Sequence, residues 1–384
     1  MKEFLLRPAL ALAGGKEIAD HWFYVRDGQV VRSGAGEPPP LPEGIPVLSP
    51  PFALEPLVDC HVHLSLGGSF DPSERKRVAG FDDEEALERV MNLLEEYRRA
   101  GICAVRDGGT PRGLAFKAAE LADKNPGRYA KVFPSAGPLF KKGLYGGFLG
   151  RGAETVEEGF SLIEEGAKRG ARQIKILASG LNSLEVPGET GKEQFTPGEL
   201  SELTRFSRSL GLGTMIHVNG TLGAVLDSAP QSVEHAFWPK EGEIEKLSAS
   251  ESFWTPTFVA WSSLSGNPSL GPNQKKVVEI TAKRHGEDIS KGISHGAKLL
   301  PGSDAGTPGV SHVSGFFSEV SALVSLGADL NSLAGNAASL AARLSGFPGL
   351  REGGEAGFVL YDSWPEDISS PTAVCFGGEL TLLK

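Results

Sequence analysis

Cysteine is scarce in this chain: three residues in 384, Cys60, Cys103 and Cys375, odd in number and far apart. That excludes a disulfide framework and a paired Cys-x-x-Cys metal site. Cys60 reads as a buried strand residue, since free cysteine is commonly buried. Positive charge is also short. Thirty-eight Lys and Arg face 48 Asp and Glu, a formal net charge of −10 with no basic cluster to offset it. A nucleic-acid partner or an anionic membrane surface is therefore not expected. Long apolar runs are missing too. The opening Met1-Lys-Glu-Phe-Leu-Leu-Arg-Pro-Ala-Leu-Ala-Leu-Ala imitates a signal peptide, but Glu3, Arg7 and Pro8 interrupt it and its apolar part falls short of a membrane span. It reads as a strand, and the protein as cytoplasmic.

What is present is a large core and abundant turns: 40% hydrophobic residues, 50 Gly and 26 Pro. One pattern recurs, a helix ending at a small or basic residue, then Gly or Ala-Pro, an apolar strand and a polar loop. It appears in Arg98-Arg-Ala-Gly-Ile-Cys-Ala-Val-Arg-Asp and in Ala167-Lys-Arg-Gly-Ala-Arg-Gln-Ile-Lys-Ile-Leu. It returns in Arg208-Ser-Leu-Gly-Leu-Gly-Thr-Met-Ile-His, Asp227-Ser-Ala-Pro-Gln-Ser-Val-Glu-His and Ser294-His-Gly-Ala-Lys-Leu-Leu-Pro-Gly-Ser-Asp. Gly just past a helix end suits a left-handed C-cap, and the repeat marks βα units of a parallel sheet. Helix starts agree: Thr155-Val-Glu-Glu and Thr196-Pro-Gly-Glu have capping-box spacing, and Thr110-Pro111 opens a third helix that Asn125-Pro-Gly closes.

Eight strands are expected near 58–61, 104–107, 131–136, 174–177, 214–217, 232–235, 253–258 and 298–303. The fold class is therefore α/β, a (β/α)8 TIM-like barrel over residues 56–344. Residues 1–55 and 345–384 carry short β-prone runs, one of them around an Asp27-Gly28 hairpin turn. Isolated pairs of strands rarely stand alone, so these two segments are expected to combine into a small β-sandwich module.

Six residues sit where an apolar run gives way to a small-residue loop: His61, His63, Lys175, His217, His235 and Asp304. Nitrogen and oxygen donors leaving the same ends of several strands suit a catalytic divalent metal site. Strand alternation puts His61 and His63 on one side, where a single cation can take both, and Asp304 returns beside them. His217 and His235 are placed for a second cation. Lys175, inside Gln173-Ile-Lys-Ile-Leu, would be costly as a buried ammonium; as a neutral amine it can add carbon dioxide and bridge two cations as a carbamate. The alternative is a lysine whose end snorkels to the barrel mouth. Two cations sharing a water would acidify it and polarise a scissile carbonyl, with Asp304 taking the proton and passing it to the leaving nitrogen.

His61-Val-His63, the strand-four lysine, His217, His235 and Gly302-Ser-Asp-Ala-Gly-Thr-Pro together resemble the amidohydrolase superfamily. Val58-Asp-Cys-His-Val-His-Leu is similar to its first-strand signature and Ala104-Val-Arg-Asp-Gly-Gly to its second. Asn336-Ala-Ala-Ser-Leu-Ala-Ala-Arg-Leu and residues 354–362 resemble its C-terminal return. Ile174-Lys-Ile-Leu-Ala-Ser-Gly with Phe195-Thr-Pro-Gly-Glu-Leu is similar to the carboxylated-lysine branch of prolidase-like Xaa-Pro and Xaa-Arg dipeptidases. The resemblance implies two divalent metals, usually zinc, a carbamylated Lys175, amide hydrolysis of a small-molecule substrate, and a homo-oligomer. The chain departs from the branch at His217-Val-Asn-Gly-Thr-Leu-Gly, where no aromatic or basic residue follows, and in the loop from Leu181.

Four further residues are candidates for substrate contact. Tyr145 could line the cleft, and Asn219 could bind a substrate carbonyl or cap its own loop. His312 could touch substrate or serve a structural hydrogen bond. Arg106 could meet a substrate carboxylate or pair with Asp107 at the barrel mouth. His21, His285 and His295 receive no role. The competing readings are a mononuclear deaminase or imidazolone-type cyclic amide hydrolase of the same superfamily, and a non-catalytic scaffold. Gly220 stands where such deaminases carry a glutamate, and all six ligand positions are kept, so hydrolysis of a C–N bond is the expectation.

Overall fold

The computed structural model describes residues 1–363 and 368–383. Seven parallel strands follow the expected order: Leu57–Val62, Ile102–Asp107, a third in two pieces, Gln173–Leu177, Gly213–Asn219, Ser232–Phe237 and Phe253–Thr255. The third is broken at Pro134 into Lys131–Phe133, which pairs with the second strand, and Ser135–Leu139, which pairs with the fourth. Proline has no N–H to give a ladder, so the break falls where the chain passes from one sheet to the next. The result is a three-stranded and a five-stranded parallel sheet.

The expected eighth strand is not a strand. Residues 298–305 nevertheless bond to both flanking strands: Leu300 N to Trp254 O at 2.7 Å on one side, Cys60 N to Pro301 O at 2.9 Å and His63 N to Ala305 O at 2.8 Å on the other. Pro301 can accept but not donate, so the regular ladder fails there while the segment keeps its place. The seventh strand also ends early. Thr257 takes a left-handed φ of 50°, and a helix, Phe258–Ser262, begins where strand was expected.

Helices cover the outer faces for the reasons read from sequence. Asp83–Arg99 buries Ala86, Val90, Met91, Leu94 and Tyr97, a helical stripe whose apolar side chains contribute about 1.5–3 kcal/mol each for the larger ones. Thr196 and Glu199 form a reciprocal capping box at the start of Pro197–Ser209. Thr155 caps Val156–Lys168 alone, because Glu158 instead accepts from Glu154 N.

The chain's two ends meet. A six-stranded sheet runs in the order 379–382, 373–376, 358–361, 52–54, 10–13 and 16–19, so C-terminal strands pair directly with N-terminal ones. A four-stranded sheet is built from 29–35, 21–26, 3–6 and 47–48, with Asp27 and Gly28 both at positive φ in its hairpin turn. Phe4, Phe23, Ala53, Phe358 and Leu360 form one buried cluster drawn from both sheets. The opening segment is thus two strands, Glu3–Leu6 and Leu10–Ala13, parted at Arg7-Pro8. No helix among the described residues is long and apolar enough to cross a membrane.

Candidate metal centre

The six residues come together from the parallel strands and the segments after them: His61, Lys175, His217 and His235 lie within strands, and His63 and Asp304 in the connecting chain. His61, His235 and Asp304 form a compact buried group, each offering a donor atom within 4.8 Å of the others. His63 Nε2 lies 3.3 Å from Asp304 Oδ1, and His61 Nε2 lies 3.6 Å from the same oxygen. Lys175 Nζ is 3.0 Å from His61 Nε2. The His217 ring centroid is 4.6 Å from that of His235, and the His61 centroid 5.0 Å from it. His235, expected with His217 on a second cation, therefore also joins the first set.

Local backbone geometry explains how neighbours in sequence can share the site. Alternation would point Glu234 and His235 to opposite faces. His235 and Ala236, however, take φ of 66° and 57°, and the pairing register with the fifth strand slips there. Both side chains then reach the interior. Trp254 Nε1 donates to His235 O at 3.0 Å and holds this turn. Asp304 is left-handed as well, φ 56°, with its N–H on His61 O at 2.7 Å. Left-handed non-glycine residues carry strain of about 1–3 kcal/mol each, and they gather here at two proposed ligands. Behind Asp304, Ser303 donates from N and Oγ to Asp59 at 2.9 and 2.6 Å, tying the segment to the first strand.

Hydrogen bonds assign the lone pairs. His61 Nδ1 donates to Glu234 Oε2 at 2.9 Å, leaving Nε2 as the acceptor nitrogen. His63 Nδ1 lies 3.1 Å from Gly109 O; a carbonyl only accepts, so its Nε2 is also free. Thr257 Oγ1 gives its one hydrogen to Pro256 O at 2.7 Å and must accept from His235 Nδ1 at 2.6 Å, which frees His235 Nε2. His217 Nε2 lies 3.3 Å from both an acceptor, Gly180 O, and a donor, Asn219 Nδ2, so these contacts do not select its tautomer. The partners of His61, His63 and His235 thus leave one ring nitrogen of each available to a ligand.

Electrostatics agree. Burial, then the Lys175 charge, lowers His61 to about 4 and His217 to about 3, and burial takes His235 well below its usual range. Burial pulls Lys175 down to about 8, against the opposing pull of Glu234 and Asp304. Burial pushes Glu234 up, yet its hydrogen bond to His61 and the Arg106 and Lys175 charges outweigh that and hold it at about 2. For Asp304, burial is likewise overcome by His61, His63 and Lys175, and its carboxyl lies below the ordinary value. Asp304 Oδ1 is buried with no hydrogen-bond partner among the described residues. An orphaned carboxylate oxygen among neutral imidazole lone pairs fits a divalent cation.

The weaker candidates divide. A cavity of about 380 Å³ opens over the cluster, and Tyr145 and Asn219 line it together with His63, Lys175, His217 and His235. Burial raises the Tyr145 phenol. Asn219 bonds across to the loop after the fourth strand: its Nδ2 donates to Gly180 O at 3.0 Å and lies 3.3 Å from His217 Nε2. His312 is absent from the cavity lining and makes structural bonds instead, to Tyr97 OH and Leu66 O, both at 3.1 Å. Arg106 does not pair with Asp107 and does not meet the cavity. It is wholly buried, with Nη1 on Ser232 Oγ at 2.7 Å and Glu234 Oε1 at 3.3 Å, and Nε on Gln173. Asp107 instead accepts from Leu64 N, Gly109 N and Thr110 Oγ1. Sequence reasoning missed Glu234 and Thr257, which orient two imidazoles, and the apolar wall that includes Leu184, Phe237 and Trp261. A carboxylate directly before a candidate ligand, in an otherwise apolar strand, was the signal for Glu234.

No family model matches the sequence, and no curated protein matches it. Solved structures do. A Xaa-Pro dipeptidase with methionine bound in its active site is 16% identical, with TM-score 0.85 over 99% of this chain and all of that one. A. niger ochratoxinase is 20% identical, with TM-score 0.80 over 99% of this chain and 95% of its own. A molinate hydrolase is 16% identical, with TM-score 0.81 over all of this chain and 95% of its own. Others include an amidohydrolase at 18% identity and TM-score 0.80. At such identities the likeness carries the architecture, and the chain has the amidohydrolase fold that the resemblance in its sequence implies.

Proposed function

We propose that the protein is a metal-dependent hydrolase of amide-type C–N bonds in a small-molecule substrate. The observation that carries this reading is the buried Asp304 Oδ1, without a hydrogen-bond partner among the described residues, facing His61 and His63 Nε2 at 3.6 and 3.3 Å. His61, His63 and Asp304 would hold one divalent cation and His217 and His235 a second, zinc being the ion that such nitrogen and oxygen donors suit. When bound, the cations supply Lewis acidity that acidifies water and polarises a carbonyl. Lys175 would join them as a carbamate, its nitrogen bonding the carbon of dissolved carbon dioxide and releasing a proton. The Asp304 carboxylate takes the proton of the attacking water and returns it to the leaving nitrogen as the C–N bond breaks. Glu234 keeps His61 in the ligand tautomer, and Thr257 does the same for His235. The matched structures named as a dipeptidase and as hydrolases support hydrolysis as the reaction class.

Metal analysis of the purified protein tests the reading. About two equivalents of zinc, falling sharply in Lys175→Ala, are expected. The compact His61, His235 and Asp304 group favours one alternative, a single-cation hydrolase. One equivalent, unchanged in Lys175→Ala, would establish that alternative. A protein that binds no divalent metal and releases no amine from Xaa-Pro, Xaa-Arg, N-acyl amino acid or hydantoin-like compounds would refute both.

A further inference from the structure

Thr257 holds an uncommon conformation beside the site. It stands at the start of the helix Phe258–Ser262 with φ 50° and ψ 46°, a left-handed geometry that a β-branched side chain rarely adopts. A threonine at a helix start ordinarily has extended backbone, and its hydroxyl accepts from the free N–H groups of the first turn. Thr257 makes no such bond. Its hydroxyl is turned the other way, donating to Pro256 O at 2.7 Å and accepting from His235 Nδ1 at 2.6 Å.

The N–H groups it leaves are taken by Glu319, a wholly buried residue of the helix Ser314–Ser325. Its Oε1 accepts from Phe258 N at 2.9 Å and its Oε2 from Val259 N at 2.8 Å. Burying a carboxyl group is costly, and burial pushes Glu319 up to about 8 against the pull of these two bonds. In either protonation state each oxygen keeps a lone pair for its N–H. The two bonds fix the backbone directly after Thr257. Left-handed backbone at such a residue carries strain of about 1–3 kcal/mol and persists only where its surroundings hold it. Released, Thr257 would return to negative φ and carry Oγ1 away from His235.

We propose that Glu319 is a positioning residue for His235. By holding Phe258 N and Val259 N it keeps Thr257 left-handed, and Thr257 in turn keeps the proton on His235 Nδ1 and leaves Nε2 open to a cation. Only the effect on metal rests on the hydrolase reading; the effect on the imidazole is a property of the metal-free protein.

Glu319→Gln tests this. It has nearly the same shape, but an amide nitrogen offers no lone pair, so one of the two N–H groups loses its acceptor. Exchange of the His235 Nδ1 proton is followed by NMR in the metal-free protein, and zinc affinity by competition with a chromophoric chelator. Exchange should quicken about tenfold or more, and zinc affinity should fall about 10–100-fold. Thr257→Val removes the hydroxyl at constant shape and should weaken zinc binding by a similar factor. Because Glu319 acts through Thr257, the double variant should bind zinc as Thr257→Val does, within about twofold. Losses that multiply would overturn the proposal. So would a Glu319→Gln protein with unchanged exchange and affinity, even if its urea midpoint falls. Where Glu319→Gln does not fold, the unaltered metal-free protein decides: the Phe258 and Val259 amide protons should exchange as slowly as those of the core strands, and free exchange at both would overturn the proposal. Absence of zinc binding by the unaltered protein would count against the hydrolase reading, while Nδ1 exchange would still decide the role of Glu319.

Discussion

Glu234→Gln is the substitution for which the structure makes the sharpest demand. The side chains have the same shape, so no cavity is created and only charge and hydrogen bonding change. Glu234 serves three donors, His61 Nδ1 at 2.9 Å, Arg106 Nη1 at 3.3 Å and Ser232 Oγ. Glutamine offers one oxygen and an amide that donates. If that oxygen faces Arg106 and Ser232, the amide confronts His61 Nδ1, and the imidazole must exchange tautomer and give up its Nε2 lone pair. Metal affinity should then fall about 10–100-fold, the usual effect of removing such an orienting partner. If the oxygen stays on His61, the amide meets a fully buried guanidinium whose Nη2 already has no partner among the described residues. Leaving one half of a buried ion pair costs about 3–5 kcal/mol of stability. The protein can keep one of these and not both. Competition with a chromophoric chelator reads the first outcome, and urea unfolding of the metal-free protein reads the second. Adding Arg106→Met should recover part of a stability loss without restoring metal affinity. A glutamine variant with unchanged affinity for metal and an unchanged urea midpoint would refute the argument.

Acid sensitivity should trace in part to His285, which is buried, stacked on Phe237, and lowered by burial from 6.5 to about 4. Between those values the unfolded chain takes up a proton that the native state refuses, so stability falls as pH drops from 6.5 and levels out near 4, by at most about 3 kcal/mol. His285→Phe should flatten this part of the urea midpoint against pH; Pro256 O keeps its bond from Thr257 Oγ1 in that variant. An unchanged slope would assign the sensitivity elsewhere. Gly302→Ala should damage both fold and site, since an added Cβ would stand 2.4 Å from Thr255 Cγ2 and 2.9 Å from His61 Cβ. The expected loss is about 1–3 kcal/mol with weakened metal binding, against no change in Gly147→Ala, where the added atom meets nothing within 4 Å.

Much of this arrangement could be read from residue order. Histidines, a lysine and an aspartate at the ends of apolar runs are a poor accident of core packing, and the structure gathers them at one end of the parallel strands. The inward direction of Lys175 also follows from simple alternation, with Gln173 bonded to Arg106 and Leu177 in the cavity wall on the same face. Reading failed where backbone geometry overrides alternation. Left-handed φ at His235 lets Glu234 and His235 both face inward, and no period-two pattern encodes that. Arg106 is expected to meet a substrate carboxylate or pair with Asp107 at the mouth, but its side chain turns into the interior toward Gln173, Ser232 and Glu234. The eighth strand looked regular until Pro301 was asked for an N–H. The cavity wall draws on loops distant in sequence, among them those carrying Leu184, Trp261 and Leu264, and no local motif reports such a surface.

The hydrogen bonds behind the imidazoles carry the argument one step further. His63 rests on a carbonyl, His235 on a hydroxyl, and His61 alone on a carboxylate. An anionic acceptor makes an imidazole a better donor of its remaining lone pair than a neutral one does. That anion would be hard to keep ionised in a dry interior, and Arg106 answers the difficulty from behind, with Ser232 Oγ as a further donor. The charge that strengthens His61 is therefore stabilised by groups lying on the far side of Glu234, before any cation arrives. A site built in this way holds its ligand tautomers in the metal-free protein. The orienting contacts should accordingly be visible there as slowly exchanging Nδ1 protons on His61 and His235, and a metal-free spectrum in which both exchange freely would show that the cation, and not the surrounding shell, sets the geometry.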